Sequence, residues 1–338
     1  MIFPTCCNKL ACAAMLLVMS STVAAHAVHS PEGSQQHVFA GRSEPPMSID
    51  DLLQQYSLEG DDRLLALARE QLPPQAAMQS VQALLHAAWL AQAEHEFAHA
   101  RVLVAEVVRQ QPHNGQAWLL EAAIADVVGD RRAAREACGH VMRSVSPQAA
   151  MVCFAALAET TQEKRVAYTR LQHLPTQTND SRLAAWRWSV QADLARGLGD
   201  SEAAEALLRR AIALFPAVQT RATLLDVLLH QARYREVLSL VGEYESVPAL
   251  AVRRLQAQVG SGESPSAAIQ QMDRRFRTWL AQGDYRHARE MAMFYLDVAP
   301  HADVAFQIAK KNATLQREPE DLALLRRAEK LKNTEHGS

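Results

Sequence analysis

The sequence has almost no net charge, no long apolar run and none of the short motifs that mark the commonest enzyme classes. Its 35 basic and 37 acidic residues leave a formal charge of −2. Both signs are mixed along the chain, so nothing electrostatic points to nucleic acid or an anionic membrane as partner. No stretch sustains the period-two alternation of a half-buried strand, which argues against a sheet. There is no Gly-rich phosphate loop, nucleophile elbow or carboxylate cluster at ligand spacing. Gly260-Ser261-Gly262-Glu263 has no strand before it and reads as an inter-helix loop. Cysteine is sparse, five in 338 residues, with no C-x-x-C redox pair.

What is present begins with an atypical leader. From Met1 to Ala27 the only formal charge is Lys9, Leu10 to Val18 is apolar, and Ala25-His26-Ala27 offers small residues at a cleavage site. This reads as a secretory signal peptide over residues 1–27. The apolar run falls short of the roughly 20 residues that a membrane-spanning helix needs, so no stable membrane insertion is expected after cleavage. The mature chain would then be periplasmic or secreted. Residues 28–47, rich in Ser, Gly, Gln, His and Pro, read as a flexible leader. Cys6, Cys7 and Cys12 leave with the signal peptide. Cys138 and Cys153 remain, on consecutive helices across the Ser146-Pro147 turn, where two buried thiols or a disulfide both fit.

With 49% hydrophobic and 21% charged residues, the rest can bury a substantial core. Residues 48–74 read as short N-terminal helices. Ser48 caps the first, Asp61 or Asp62 starts the second, and Pro73-Pro74 follows it. Residues 75–338 read as one repeat domain with a charged C-terminal capping helix. Its clearest unit runs from Ala185 to Pro216: Trp188, Ala192 and Ala195 share a helical face, Gly199-Asp200 breaks and restarts the helix, and Ala204, Leu207, Leu208 and Ala211 form the next face. The small residue of the second helix recurs as Ala100, Ala134 and Ala204, with Val237 in the same role. Between Pro147 and Pro175 the unit is shortened, with Phe154, Leu157, Val166 and Tyr168 as its apolar face. Beyond Tyr244, helices are expected near 248–259, 266–281, 285–298, 303–316 and 321–332. Two pairings of them remain open.

This pattern, a helical hairpin of about 34 residues with bulky and small residues at fixed places and a closing proline, resembles the tetratricopeptide (TPR) repeat. The resemblance implies an all-α, right-handed superhelical solenoid of antiparallel helix pairs, about 12–14 helices in all. It places Trp118 and Trp188 at the core anchor. It also puts Leu85, Trp89, Leu119, Ala123 and Trp186 on the concave groove, with Ser189, Asp193 and Arg196 beside Trp186. Trp89, Trp186, Ser189, Asp193 and Arg196 are therefore the candidate partner-binding residues, since aromatics and Arg commonly anchor interfaces. The expected function is a non-enzymatic scaffold or adaptor of the bacterial cell envelope, holding a protein or peptide partner with no cofactor.

One string suggests different chemistry. His95-Glu96-Phe97-Ala98-His99 fits H-E-x-x-H, which in zinc peptidases needs both histidines one turn apart on a continuous helix. Glu121 is a conceivable third ligand. In the repeat register, however, His95 falls where Gly199 stands and Glu96 where Asp200 stands, in a turn. A zinc metallopeptidase at His95, Glu96 and His99 is thus the rival reading, and an accessory role in metal or cofactor handling is a third.

Overall fold

Short polar side chains start most of these helices, and they do so by satisfying backbone N–H groups that have no partner within the helix. The computed structural model describes residues 47–74, 77–175, 180–242 and 247–336. The expected signal peptide and nearly all of the expected leader lie outside these residues. Ser48 caps α1 (Ile49–Glu59) in a reciprocal box with Asp51, and Asp61 caps α2 (Asp62–Glu70). Then follow α3 (Val81–Ala93), α4 (Phe97–Gln110), α5 (Gly115–Val127), α6 (Arg131–Ser144), α7 (Pro147–Ala156), α8 (Thr161–Gln172), α9 (Ser181–Gly197) and α10 (Ser201–Leu214). The remaining helices are α11 (Val218–His230), α12 (Tyr234–Val241), α13 (Pro248–Gly260), α14 (Ser266–Ala281), α15 (Ala288–Asp297), α16 (Ala302–Leu315) and α17 (Pro319–His336). Seventeen helices and no strand stand among the described residues, somewhat more than the repeat count implies.

Five of the hairpin turns share one hydrogen-bond device. A residue in the left-handed region ends the first helix, and the next N–H donates to the carbonyl five residues back, as in a Schellman cap. Gly129, Gly199 and Gly262 hold that position with φ of +83°, +84° and +87°. The bonds are Asp130 N–H to Ala125 O (2.7 Å), Asp200 N–H to Ala195 O (2.9 Å) and Glu263 N–H to Gln258 O (2.9 Å). The same device recurs with non-glycine residues at His95 (φ +63°) and Ala232 (φ +55°), where Glu96 N–H reaches Ala91 O and Arg233 N–H reaches Leu228 O. A Cβ in this conformation costs roughly 1 kcal/mol. Ala232 is exposed, so Ala232→Gly is expected to stabilise the protein by about 1 kcal/mol or slightly less in urea unfolding; a loss of stability would contradict this assignment of the turn.

Small residues stand where the paired helices cross. Ala100, Ala134, Ala204 and Val237 are fully buried, as are Ala88, Ala122 and Ala192 on the facing helices, which lets the backbones approach closely. The odd-numbered helices from α3 onward form the inner layer and the even-numbered ones the outer. At the C-terminal end α13, α15 and α17 lie side by side and α15 packs against α16, so of the two pairings left open beyond Tyr244 the structure has α15 opening a hairpin with α16. The shortened unit departs from expectation. Leu157 is buried and Tyr168 partly so, but Phe154 and Val166 are 40% and 37% exposed. The ten-residue α7 buries Ala149, Ala150, Val152 and Cys153 instead. Cys138 on α6 and Cys153 on α7 are joined in a disulfide, their Cα atoms 5.6 Å apart.

The array closes on itself, and this positions everything functional. Leu52 and Leu53 of α1 and Leu65 and Ala68 of α2 belong to the same apolar cluster as Leu85, Trp89, Leu119, Ala123 and Trp186. The N-terminal hairpin therefore fills the inner face of the array. Polar ties hold it: Arg182 donates to Gln54 Oε1 (3.1 Å), Arg221 to Leu58 O, and His287 Nε2 lies 3.0 Å from Asp62. From the other end, Arg317 N–H donates to Val127 O at 2.7 Å, bringing the α16–α17 turn onto the end of α5.

Candidate functional site

Among the described residues, the aromatic positions expected on the inner face are covered by the chain itself. Trp89 and Trp186 are 1% and 0% exposed, so in this conformation neither offers surface to a partner. They share one apolar cluster with Leu52, Leu53, Leu65 and Ala68 of α1 and α2, which the repeat pattern alone does not place there. Trp118 and Trp188 are only partly buried, the reverse of the core-anchor expectation. Trp118 lies flat on His140, ring centroids 3.8 Å apart, and donates its indole N–H to Pro112 O (2.8 Å). Ser189 is partly buried and its hydroxyl donates to Ala185 O (3.1 Å), a bond within its own helix.

Asp193 and Arg196 reach a different surface. They line a cleft of about 770 Å3 at the end of the array where the α5–α6, α7–α8 and α9–α10 turns meet the start of α17. Arg196 donates to Asp193 Oδ1 at 2.8 Å. Arg131 binds Glu159 (2.6 Å) and Asp126 across the floor. Leu322, Arg317 and Arg326 stand exposed along the α17 side. The cleft therefore combines a fixed ionic floor with an exposed leucine and two exposed guanidiniums.

The histidine string does not form the geometry that zinc hydrolysis requires. His95 sits in the turn at φ +63°, Glu96 is the N-cap of α4, and His99 lies exposed on α4. The two histidines thus belong to no common helix. Glu121, the conceivable third ligand, is 2.7 Å from Arg101. No group of three His, Cys, Asp or Glu side chains placed to hold a metal occurs among the described residues. His95 faces inward instead: its ring stacks on Phe97 at 5.4 Å, and the Gln316 amide nitrogen lies 3.0 Å from Nδ1. Burial, then the nearby His287 and Arg289, pushes its imidazole down to about 4, so it is neutral at ordinary pH. The Asn312-Ala313-Thr314 string lies in α16, with Asn312 buried and donating to Asp321 (2.7 Å).

Behind the cleft runs a buried ionic ladder that the sequence pattern did not single out. Arg253 on α13 holds Asp226 of α11 through two bonds of 2.7 and 2.8 Å. Arg289 on α15 binds Asp321 of α17 (2.7 Å) and Glu318 (2.7 Å). Polar residues inside inner-layer helices otherwise rich in alanine and leucine were its only trace. Burial pushes the Glu318 carboxyl up to about 8, and Arg289 only partly offsets this. A carboxyl raised on folding contributes stability that is fully present below its unfolded value, near 4.5, and is lost as pH rises through about 8. Glu318→Gln is therefore expected to leave the unfolding midpoint nearly unchanged at pH 5 and to raise it at pH 8.5, measured by thermal circular dichroism. A lower midpoint in the variant at pH 8.5 would contradict it.

No family model matches the sequence, and no curated protein matches it. Among solved structures, a thermophilic TPR protein of Thermus thermophilus is 20% identical, with a TM-score of 0.43, covering 53% of this chain and 100% of its own. The Cut9–Hcn1 hetero-tetramer of the APC/C is 16% identical with a TM-score of 0.48. The match covers 83% of this chain and 54% of that one, so this chain spans about half of that protein's length. The stacked helical hairpins described above carry the repeat-solenoid fold by themselves. Among the described residues, no helix is long and apolar enough to cross a membrane.

Proposed function

We propose that this protein is a non-enzymatic interaction scaffold of the bacterial cell envelope that holds a protein segment in the cleft between its helix turns and α17. The observation that carries this reading is the division of surfaces. The inner face is filled by α1 and α2, whereas the cleft is open, is supported by turns from several hairpins, and presents Leu322 between Arg317 and Arg326. Rigid helix ends that display an apolar side chain flanked by guanidiniums suit an extended peptide or helix end, with Arg as anchor. The expected signal peptide supports the exported location.

Trp186→Ala is the wrong probe for this function. The side chain is fully buried, so its removal should cost roughly 3–5 kcal/mol of stability and would report on folding. Arg317→Glu with Arg326→Glu changes only exposed side chains. Affinity capture from envelope extract should recover a specific partner with the native chain and lose it with this double variant, at equal helical content. Equal recovery by both would exclude the cleft.

A further inference from the structure

The shortened unit carries an apolar groove on its surface. The groove holds about 490 Å3 between Met151 of α7 and one side of α8, room for a large apolar side chain. Val166, Thr169, Arg170 and His173 recur at spacings of three and four along α8 and its C-cap, so they share a face, and Leu174 completes the lining. Phe154, three residues from Met151 on α7, extends the same exposed apolar surface. Single exposed apolar residues are ordinary, but a convergent group rimmed by polar side chains marks an interaction surface. The floor is held from behind: Cys153, between Met151 and Phe154, is bonded to Cys138 of α6, and Leu171 of α8 is fully buried.

The charges around the groove state which partner fits. Arg165 and Arg170 line it, both exposed, and among the described residues neither is paired with a carboxylate. No Asp or Glu lines the groove, and α7 has no charged residue along its length. Glu163 is the single carboxylate on α8, and it is engaged: it accepts from the Glu159 and Thr160 N–H groups, both at 3.0 Å, and lies 3.7 Å from Arg135. The three cations of α8, Lys164, Arg165 and Arg170, thus outnumber its one carboxylate. A bilayer surface would call for projecting apolar residues, whereas this site is concave and receives a side chain.

We propose that the α7–α8 groove docks an acidic amphipathic helix of a partner protein, with a large apolar residue seated between Met151 and Val166 and its neighbouring carboxylates on Arg165 and Arg170. This surface shares no lining residue with the α17 cleft and does not depend on it.

The test is fluorescence anisotropy with the purified protein and a labelled synthetic helix bearing leucine on one face and glutamate on the other. The controls are the same helix with lysine for glutamate, the same helix with serine for leucine, and vesicles of phosphatidylglycerol. The expected result is saturable binding of the acidic helix alone, weakened by salt. Affinity should fall at least tenfold in Arg165→Glu with Arg170→Glu and in Met151→Ser with Phe154→Ser, and stay unchanged in Arg317→Glu with Arg326→Glu. No binding of the acidic helix, equal binding of either control helix, or binding to the vesicles through these same residues would overturn the proposal. So would a loss confined to the Arg317 and Arg326 variant, which would put the helix in the α17 cleft, or a native dimer that Phe154→Ser dissociates. The arginine variant changes only exposed side chains and keeps the test decisive if the serine variant fails to fold.

Discussion

Arg253→Met should destabilise the protein by roughly 3–5 kcal/mol, the largest effect expected of any single polar substitution here. Arg253 is completely buried and makes two bonds to Asp226, itself only 5% exposed, and a third to Ala249 O. Methionine fills most of the volume but leaves the Asp226 carboxylate in the interior without its cation. Burial already pushes the Asp226 carboxyl up, with Arg253 opposing it, so the variant should hold Asp226 protonated over a wider pH range. The loss should thus be smaller at pH 5 than at pH 8. Replacing both partners, as in Asp226→Leu with Arg253→Leu, removes the unpaired charge and should recover much of the loss. Urea unfolding of the single and double variants at both pH values measures this directly. A double variant less stable than Arg253→Met would contradict the desolvation account.

The second large effect belongs to the disulfide. Cys138 and Cys153 are separated by 15 positions, and a loop of that length constrains the unfolded chain by about 3 kcal/mol in the chain-entropy description. Cys138→Ala with Cys153→Ala should lower stability by about that amount, and adding a reductant to the native protein should produce a similar drop. Reduction should leave the variant unchanged. The bridge also ties α6 to α7 at the head of the shortened unit, where apolar burial is thinnest, so increased hydrogen exchange should appear first in α7 and α8. Uniform loosening of all helices instead would remove that local role.

Most of the helical pattern was legible because it rests on local chemistry. Caps such as Ser48 and Asp200, turn glycines such as Gly199, and the small residues Ala100, Ala134 and Ala204 each act within a turn or two of their own position. The equivalence of His95 with Gly199 followed from the same spacing, and with it the failure of the H-E-x-x-H string to lie on one helix. What could not be read was long-range. Nothing near Trp89 or Trp186 in sequence announces that Leu52, Leu53 and Leu65 will join their cluster, because the hairpin that carries them is amphipathic like its neighbours. The ladder of Arg253, Asp226, Arg289 and Asp321 was hidden for a related reason. A charged residue on an amphipathic helix ordinarily marks the solvent side, and these stand on inner-layer helices that meet only after the array has curved.

The most direct measurement is partner capture with the N-terminal hairpin locked in place. Asp62→Cys with His287→Cys puts two thiols where the native side chains meet at 3.0 Å, and a short bis-maleimide can bridge them while Cys138 and Cys153 stay paired. If the inner face is permanently occupied and the α17 cleft does the binding, the bridged protein should capture its partner as well as the unbridged one. Loss of capture on bridging, restored by a cleavable linker, would show that the partner enters the inner face in place of α1 and α2.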